Sequence, residues 1–222
     1  MANFSWAPLW VYLDNNATTR MDERVVDAML PVFRDNFANP SSAHALGSSA
    51  AETVRVARGQ VRSLIGAASN NEIVFTSGGS ESNNTAILSA IETQAGRNEI
   101  VISSVEHPSM LAVCAYLERS GRARVHRIPV DCGGNLDINK FQTALSERTA
   151  LVSCQWANNE TGVILPVEML AAMSCFTGSG CCEPTSFRSS RGRTCRFWAG
   201  AETANRKIAT KMRTGMLAST IP

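Results

Sequence analysis

Three short stretches combine residue types that can hold an anion or move a proton. The first is Ser77–Gly78–Gly79–Ser80–Glu81–Ser82, ahead of an apolar helical pattern. Glycines let the backbone approach a ligand closely. The first amides of a helix lack an intrahelical acceptor, and the helix dipole favours a negative charge. Ser80 can cap the helix or donate its hydroxyl to a phosphate. Ordinary turns into helices are also rich in Gly and Ser, so the stretch reads equally as punctuation. The second is His107, which stands between the run EIVISS and Pro108. A histidine there stands at the end of a strand, where a parallel sheet binds ligands, or simply fills a structural place. The third is Trp156–Ala157–Asn158–Asn159–Glu160–Thr161–Gly162, whose paired amides can form a turn or donate to a ligand oxygen.

What must position these stretches is an alternation of strands and helices. Helical spacing is read over 22–36, with acids in the first turn and Pro31 as a kink or break, and over 48–65. EIVFT (72–76) reads as a strand leading into the Gly-rich turn, with a helix over 81–93. A second strand is expected over 99–103. Pro108 stands at a helix start, where its missing N–H costs nothing. A third strand is expected over 124–130, a short helix over 138–145, a fourth strand over 149–156, and another helix from Glu168. This predicts an α/β fold with a mostly parallel sheet flanked by helices. Each of the three stretches then follows a strand, and open parallel sheets bind ligands at the carboxyl ends of their strands.

Composition bounds the alternatives. The chain has 222 residues, 44% hydrophobic, with formal charge +2 and a pI near 8.2. That balance gives no footprint for nucleic acid or a membrane as partner. No apolar run reaches the ~18 residues of a membrane span, and the first ten residues carry no signal-peptide pattern. A cytoplasmic location is expected. Seven cysteines at irregular spacing are read as buried free thiols. No C-x-x-C pair exists, so no metal site is expected.

The pattern breaks at Met173. From 174 to 222 there are eight Lys or Arg against two acids, Glu183 and Glu202, and four of the seven cysteines, without a sustained period. A weak helix over 201–217 is the most that tail supports. The chain thus divides into an N-terminal extension (1–10), a body (11–173) and a basic Cys/Arg-rich tail (174–222). The tail reads as foreign to the body, as a shifted reading frame would. A basic arm for nucleic acid is the lesser alternative.

Five motifs carry a family resemblance. YLDNNATT (12–19), NPSSAH (39–44), EIVFTSGGSES (72–82), Glu106–His107–Pro108 and WANNETG (156–162) resemble the cysteine desulfurases, nearest the nitrogen-fixation type, over about residues 11–173. The resemblance implies part of the large domain of a fold-type-I pyridoxal-phosphate (PLP) enzyme, and a homodimer. It implies conversion of L-cysteine to L-alanine, with persulfide sulfur passed to an iron–sulfur scaffold protein. Carried over, Gly79 and Ser80 would bind the PLP phosphate, although the family more often has Ala-Thr or Gly-Thr there. His107 would stack on the pyridine ring and assist proton transfer. Asn159 would bond the cofactor's phenolic oxygen or the substrate carboxylate.

The resemblance also implies an H-x-D-x-x-Q segment, an S-x-H-K segment with the Schiff-base lysine, and a loop with the nucleophilic cysteine. None is found. The lysines are Lys140, Lys207 and Lys211, and none follows Ser-x-His. Lys140 falls on a helix and is expected to be solvated. An inactive polypeptide of poor solubility is expected. Another class-V PLP enzyme such as a selenocysteine lyase, or a non-enzymatic fragment that binds an intact partner, are the rival readings.

Overall fold

The computed structural model describes residues 11–176 and Arg196–Trp198. The N-terminal extension, the expected helix over 201–217, Lys207, Lys211 and three of the tail cysteines lie outside the described residues. The chain forms two compact units that divide between Val61 and Arg62.

In the first unit, a turn at Asp14–Thr18 leads to α1 (Glu23–Arg34) and then α2, which begins at Ala45 and ends at Ile65. Asp22 caps α1: its Oδ1 accepts from the Arg24 amide at 2.9 Å. The carboxylate also accepts from the Arg24 guanidinium at 3.0 and 2.9 Å, which lowers the Asp22 pKa to about 2. Pro31 does not break α1. The helix runs through it, and its carbonyl accepts the Asp35 amide at 2.8 Å. Ahead of α2, the His44 Nδ1 accepts from the Gly47 amide at 3.2 Å. Position 47 admits only glycine, because a Cβ would lie 2.3 Å from the Ser42 carbonyl oxygen.

The second unit is a layered α/β structure. Its elements are α3 (Gly79–Thr93), β1 (Glu99–Ser103), α4 (Pro108–Arg119), β2 (Arg124–Ile128), α5 (Ile138–Ala144), β3 (Thr149–Ser153), α6 (Val167–Phe176) and the short β4 (Arg196–Trp198). The strands form one parallel sheet in the order β2-β1-β3-β4. Every residue of β1 and β3 is buried, whereas β2 has exposed positions among buried ones. A strand covered on both faces must be apolar on both, which explains the unbroken runs IVI and ALV.

Alternate β1 side chains serve two cores. Ile100 and Ile102 pack with Ile87, Met110, Cys114 and Leu117 of α3 and α4. Val101 packs with Phe141, Val152 and Leu170 on the other side, against α5 and α6. Full burial of each such side chain contributes about 1.5–3 kcal/mol.

Two expectations are corrected. EIVFT is not a strand. Glu72 closes a 3-10 turn (Asn70–Glu72) and 73–76 joins no ladder of the sheet. Its β-branched and aromatic content favours extended backbone, but among the described residues it joins no ladder of the sheet, and Val74 and Phe75 are exposed. The cysteines do not all behave as buried thiols. Cys114 and Cys154 are buried, but Cys132 is exposed in its turn.

Candidate functional site

The strand order sets a switch point between β1 and β3 before any side chain is considered. β1 leads outward to β2 on one side, and β3 leads to β4 on the other. Neighbouring strands whose connections depart in opposite directions leave a cleft at their carboxyl ends. His107 follows β1 and the Asn158–Asn159 pair follows β3, so the topology brings these two stretches to the same edge.

Glu106 ties the two strand ends together. It is buried, and its Oε1 accepts from the Ser103 hydroxyl at 2.7 Å and from the Gln155 amide at 2.7 Å. Its Oε2 accepts from the Ser153 hydroxyl at 3.3 Å. Ser103 ends β1, and Ser153 ends β3. A buried carboxylate needs such donors, because each hydrogen bond to a charged group contributes about 1.5–3 kcal/mol. Next to it, the Val105 carbonyl accepts from Gln155 Nε2 at 2.5 Å and from Asn158 Nδ2 at 3.3 Å.

The amide pair divides its labour. Asn158 Oδ1 accepts from the Glu160 amide at 3.0 Å and the Thr161 amide at 2.9 Å, which shapes the turn. Gly162 completes the turn at φ +74°, a left-handed conformation that suits glycine. Asn159, the nominated ligand residue, is exposed, and its Nδ2 donates to Glu160 Oε1 at 3.0 Å.

His107 is exposed and N-caps α4. Pro108 occupies the first helical position and has no N–H to satisfy. The next amide, of Ser109, donates to His107 Nδ1 at 3.2 Å. The Ser109 hydroxyl lies 2.8 Å from the same nitrogen and accepts from Asn83 Nδ2 at 2.8 Å. Asn83 lies on α3, one turn beyond Gly79, so a chain of bonds connects α3 to His107.

The Gly-rich stretch opens α3 after an extended Gly78, with Gly79 and Ser80 as the first two helical residues. Glu81 reaches back to the Ser77 amide at 2.7 Å and the Ser77 hydroxyl at 2.6 Å, bonds that lower its pKa. No side chain caps α3. A Cβ at Gly79 would meet nothing within 4 Å, so the start of the helix is open.

Two thiols of the body, Cys114 and Cys154, are buried and poor nucleophiles. Burial pushes Cys154 up to about 12 and Cys114 up to about 11. Lys140, the described lysine, is solvent-exposed and pairs with Asp137 at 3.4 Å. Among the described residues no group of His, Cys, Asp and Glu could hold a metal ion, and no helix is long and apolar enough to cross a membrane.

The family model for aminotransferase class-V matches residues 11–182, past Met173. The chain belongs to the class-V aminotransferase family. Within that family it is similar to a cysteine desulfurase of Gluconacetobacter diazotrophicus, 59% identical over 164 residues, which cover 74% of this chain and 41% of the relative. Among solved structures it is similar to a NifS-like protein, at 36% identity and a TM-score of 0.72, covering 77% of this chain and 47% of the other. It is also similar to SspA in complex with cysteine, at 30% identity and a TM-score of 0.69, covering 87% and 54%. The chain thus spans about two fifths of the length of the curated relative.

PLP, the cofactor associated with this class-V aminotransferase resemblance, has a phosphate end, and the uncapped, open start of α3 is of the kind that takes an anion. Its covalent anchor does not fit the described part of the chain, whose lysine is held by Asp137. Reading the sequence singled out Gly79, Ser80, His107 and Asn159. It missed Glu106, Ser109, Asn83 and Gln155. Glu106 gave a signal in hindsight: an acid three residues beyond a strand of near-continuous apolar sequence must find donors if it is buried.

Proposed function

We propose that this chain is a cysteine desulfurase by descent, carrying the phosphate and ring side of a PLP site. The whole protein's reaction would convert L-cysteine to L-alanine and pass the sulfur to a scaffold protein for iron–sulfur clusters, in nitrogen fixation by the flavour of its motifs. The observation that carries this reading is the hydrogen-bonded assembly at the ends of β1 and β3, in a chain 59% identical to a cysteine desulfurase.

Bound PLP would supply an electron sink at the substrate's α-carbon. The residues here would do the holding. Gly79 and Ser80 would bind the phosphate through backbone amides and a hydroxyl. His107 would lie against the ring and hold a proton beside it. Asn159 would exchange its bond with Glu160 for one to a cofactor or substrate oxygen. A homodimer in the cytoplasm is the expected setting. The 222-residue polypeptide itself, without an S-x-H-K lysine, would hold PLP reversibly and not turn over cysteine.

The test mixes the purified chain with PLP, reduces with borohydride, and maps any pyridoxyl-lysine by mass spectrometry. Cysteine is offered in parallel and alanine measured. Reversible binding competed by inorganic phosphate, no labelled lysine and no alanine are expected. A labelled lysine or steady release of alanine would overturn the proposal.

A further inference from the structure

We infer that Ser109 and Asn83 are positioning residues that hold His107 in the tautomer with its proton on Nε2. The inference deepens the functional reading above and rests on it for its consequence, not for its geometry. A backbone N–H can only donate, so the Ser109 amide at 3.2 Å requires a lone pair on His107 Nδ1. The Ser109 hydroxyl at 2.8 Å is then a second donor to the same atom. Asn83 Nδ2 fixes that direction by donating to the hydroxyl oxygen at 2.8 Å, which leaves the hydroxyl proton to point at the imidazole. A proline at the first helical position makes the Ser109 amide the first that α4 must satisfy, so the cap and the tautomer are one requirement.

With Nδ1 occupied as an acceptor, the neutral ring carries its proton on Nε2. The exposed His107 therefore offers a ligand a hydrogen-bond donor. It would bind an oxygen anion or hand over a proton at Nε2, and it would not accept one there until that proton has left. His44 makes a comparable cap on the Gly47 amide but shows no hydroxyl donor in addition, so it provides an internal reference.

The experiment is nitrogen-15 NMR of the histidine rings in the full chain without PLP, with the His107 signals assigned by their loss in His107→Asn. The expected result is one-bond coupling of the ring proton to Nε2 only, with Nδ1 at the position of a hydrogen-bonded acceptor. Ser109→Ala should move the Nδ1 resonance downfield, Asn83→Ala should move it less in the same sense, and Ser109→Thr should restore it. Backbone amide spectra show which variants stay folded, and the threonine variant keeps the test decisive if alanine does not. A proton on Nδ1 in the parent chain, or an Nδ1 resonance unmoved by Ser109→Ala, would overturn the inference. Failure of the chain to bind PLP would count against the functional reading and leave this one standing.

Discussion

Residues 11–61 and residues 62–176 are built from similar material and come out differently. α1 carries Val25, Val26, Met29, Leu30, Val32 and Phe33, and none of its residues is buried. α4, of the same length, carries Met110, Val113, Cys114 and Leu117, all buried. Both helices have a cap, a basic residue in the last turn and a proline. The difference, among the described residues, is what each helix packs against. α4 lies against a sheet and α3, whereas among the described residues of the first unit only Gly47 and Ala50, both in α2, are buried. Caps and propensity favour a helix, but a helix of about 12 residues is marginal by itself, and an apolar stripe stabilises the fold only when another face removes it from water.

Thiol chemistry tests the packed side of that contrast most strongly. At mildly alkaline pH, the exposed Cys132 should alkylate readily, while Cys114 and Cys154, held up at about 11 and about 12 by burial, should lag well behind it. Peptide mapping after brief alkylation reads this directly. Equal labelling of all three would mean that the second unit opens in solution.

Stability tests the contrast next. Leu117→Ala empties a fully buried position and should cost about 3–4 kcal/mol by denaturant titration. Phe33→Ser, at a position 69% exposed, should stay within about 0.5 kcal/mol and improve solubility. If Phe33→Ser costs as much as Leu117→Ala, then α1 is covered in the protein in solution and the contrast fails.

The smallest effect belongs to the cap of α1. The folded pKa of Asp22 lies below its ordinary value of 3.8, at about 2. A depressed carboxylate stabilises above its unfolded pKa and ceases to do so as pH falls through the folded one. Helicity of α1 should therefore weaken between pH 3.8 and about 2, as followed by circular dichroism. Asp22→Asn should remove that pH dependence. An unchanged acid profile in the variant would show that the cap does not hold the helix.

Much of this architecture was legible in advance. EIVIS and the TALVS run declared themselves because strands buried on both faces are uniformly apolar, and Pro108 announced the start of α4. EIVFT misled because β-propensity describes a residue's fit to a pleated surface, not the presence of a partner strand. At the candidate site, the residues able to touch a ligand stood out by type, but those that position them did not. Asn158 looked like a twin of Asn159, and only the fold shows that one builds the turn while the other lies exposed beside it. Ser109 and Asn83 are 26 positions apart and have no period or motif in common.

By itself, the sequence determined the α/β alternation, the five motifs and the family to which they belong. It also determined which lysines exist at all. These follow from local pattern and residue identity, which need no knowledge of the third dimension. The tertiary structure decided which faces are buried, which strand ends meet, and that Glu106 joins β1 to β3 while Ser109 and Asn83 hold His107. Those outcomes depend on pairing between residues remote in the chain. Their hydrogen bonds form only after the sheet order β2-β1-β3-β4 has brought the donors and acceptors together.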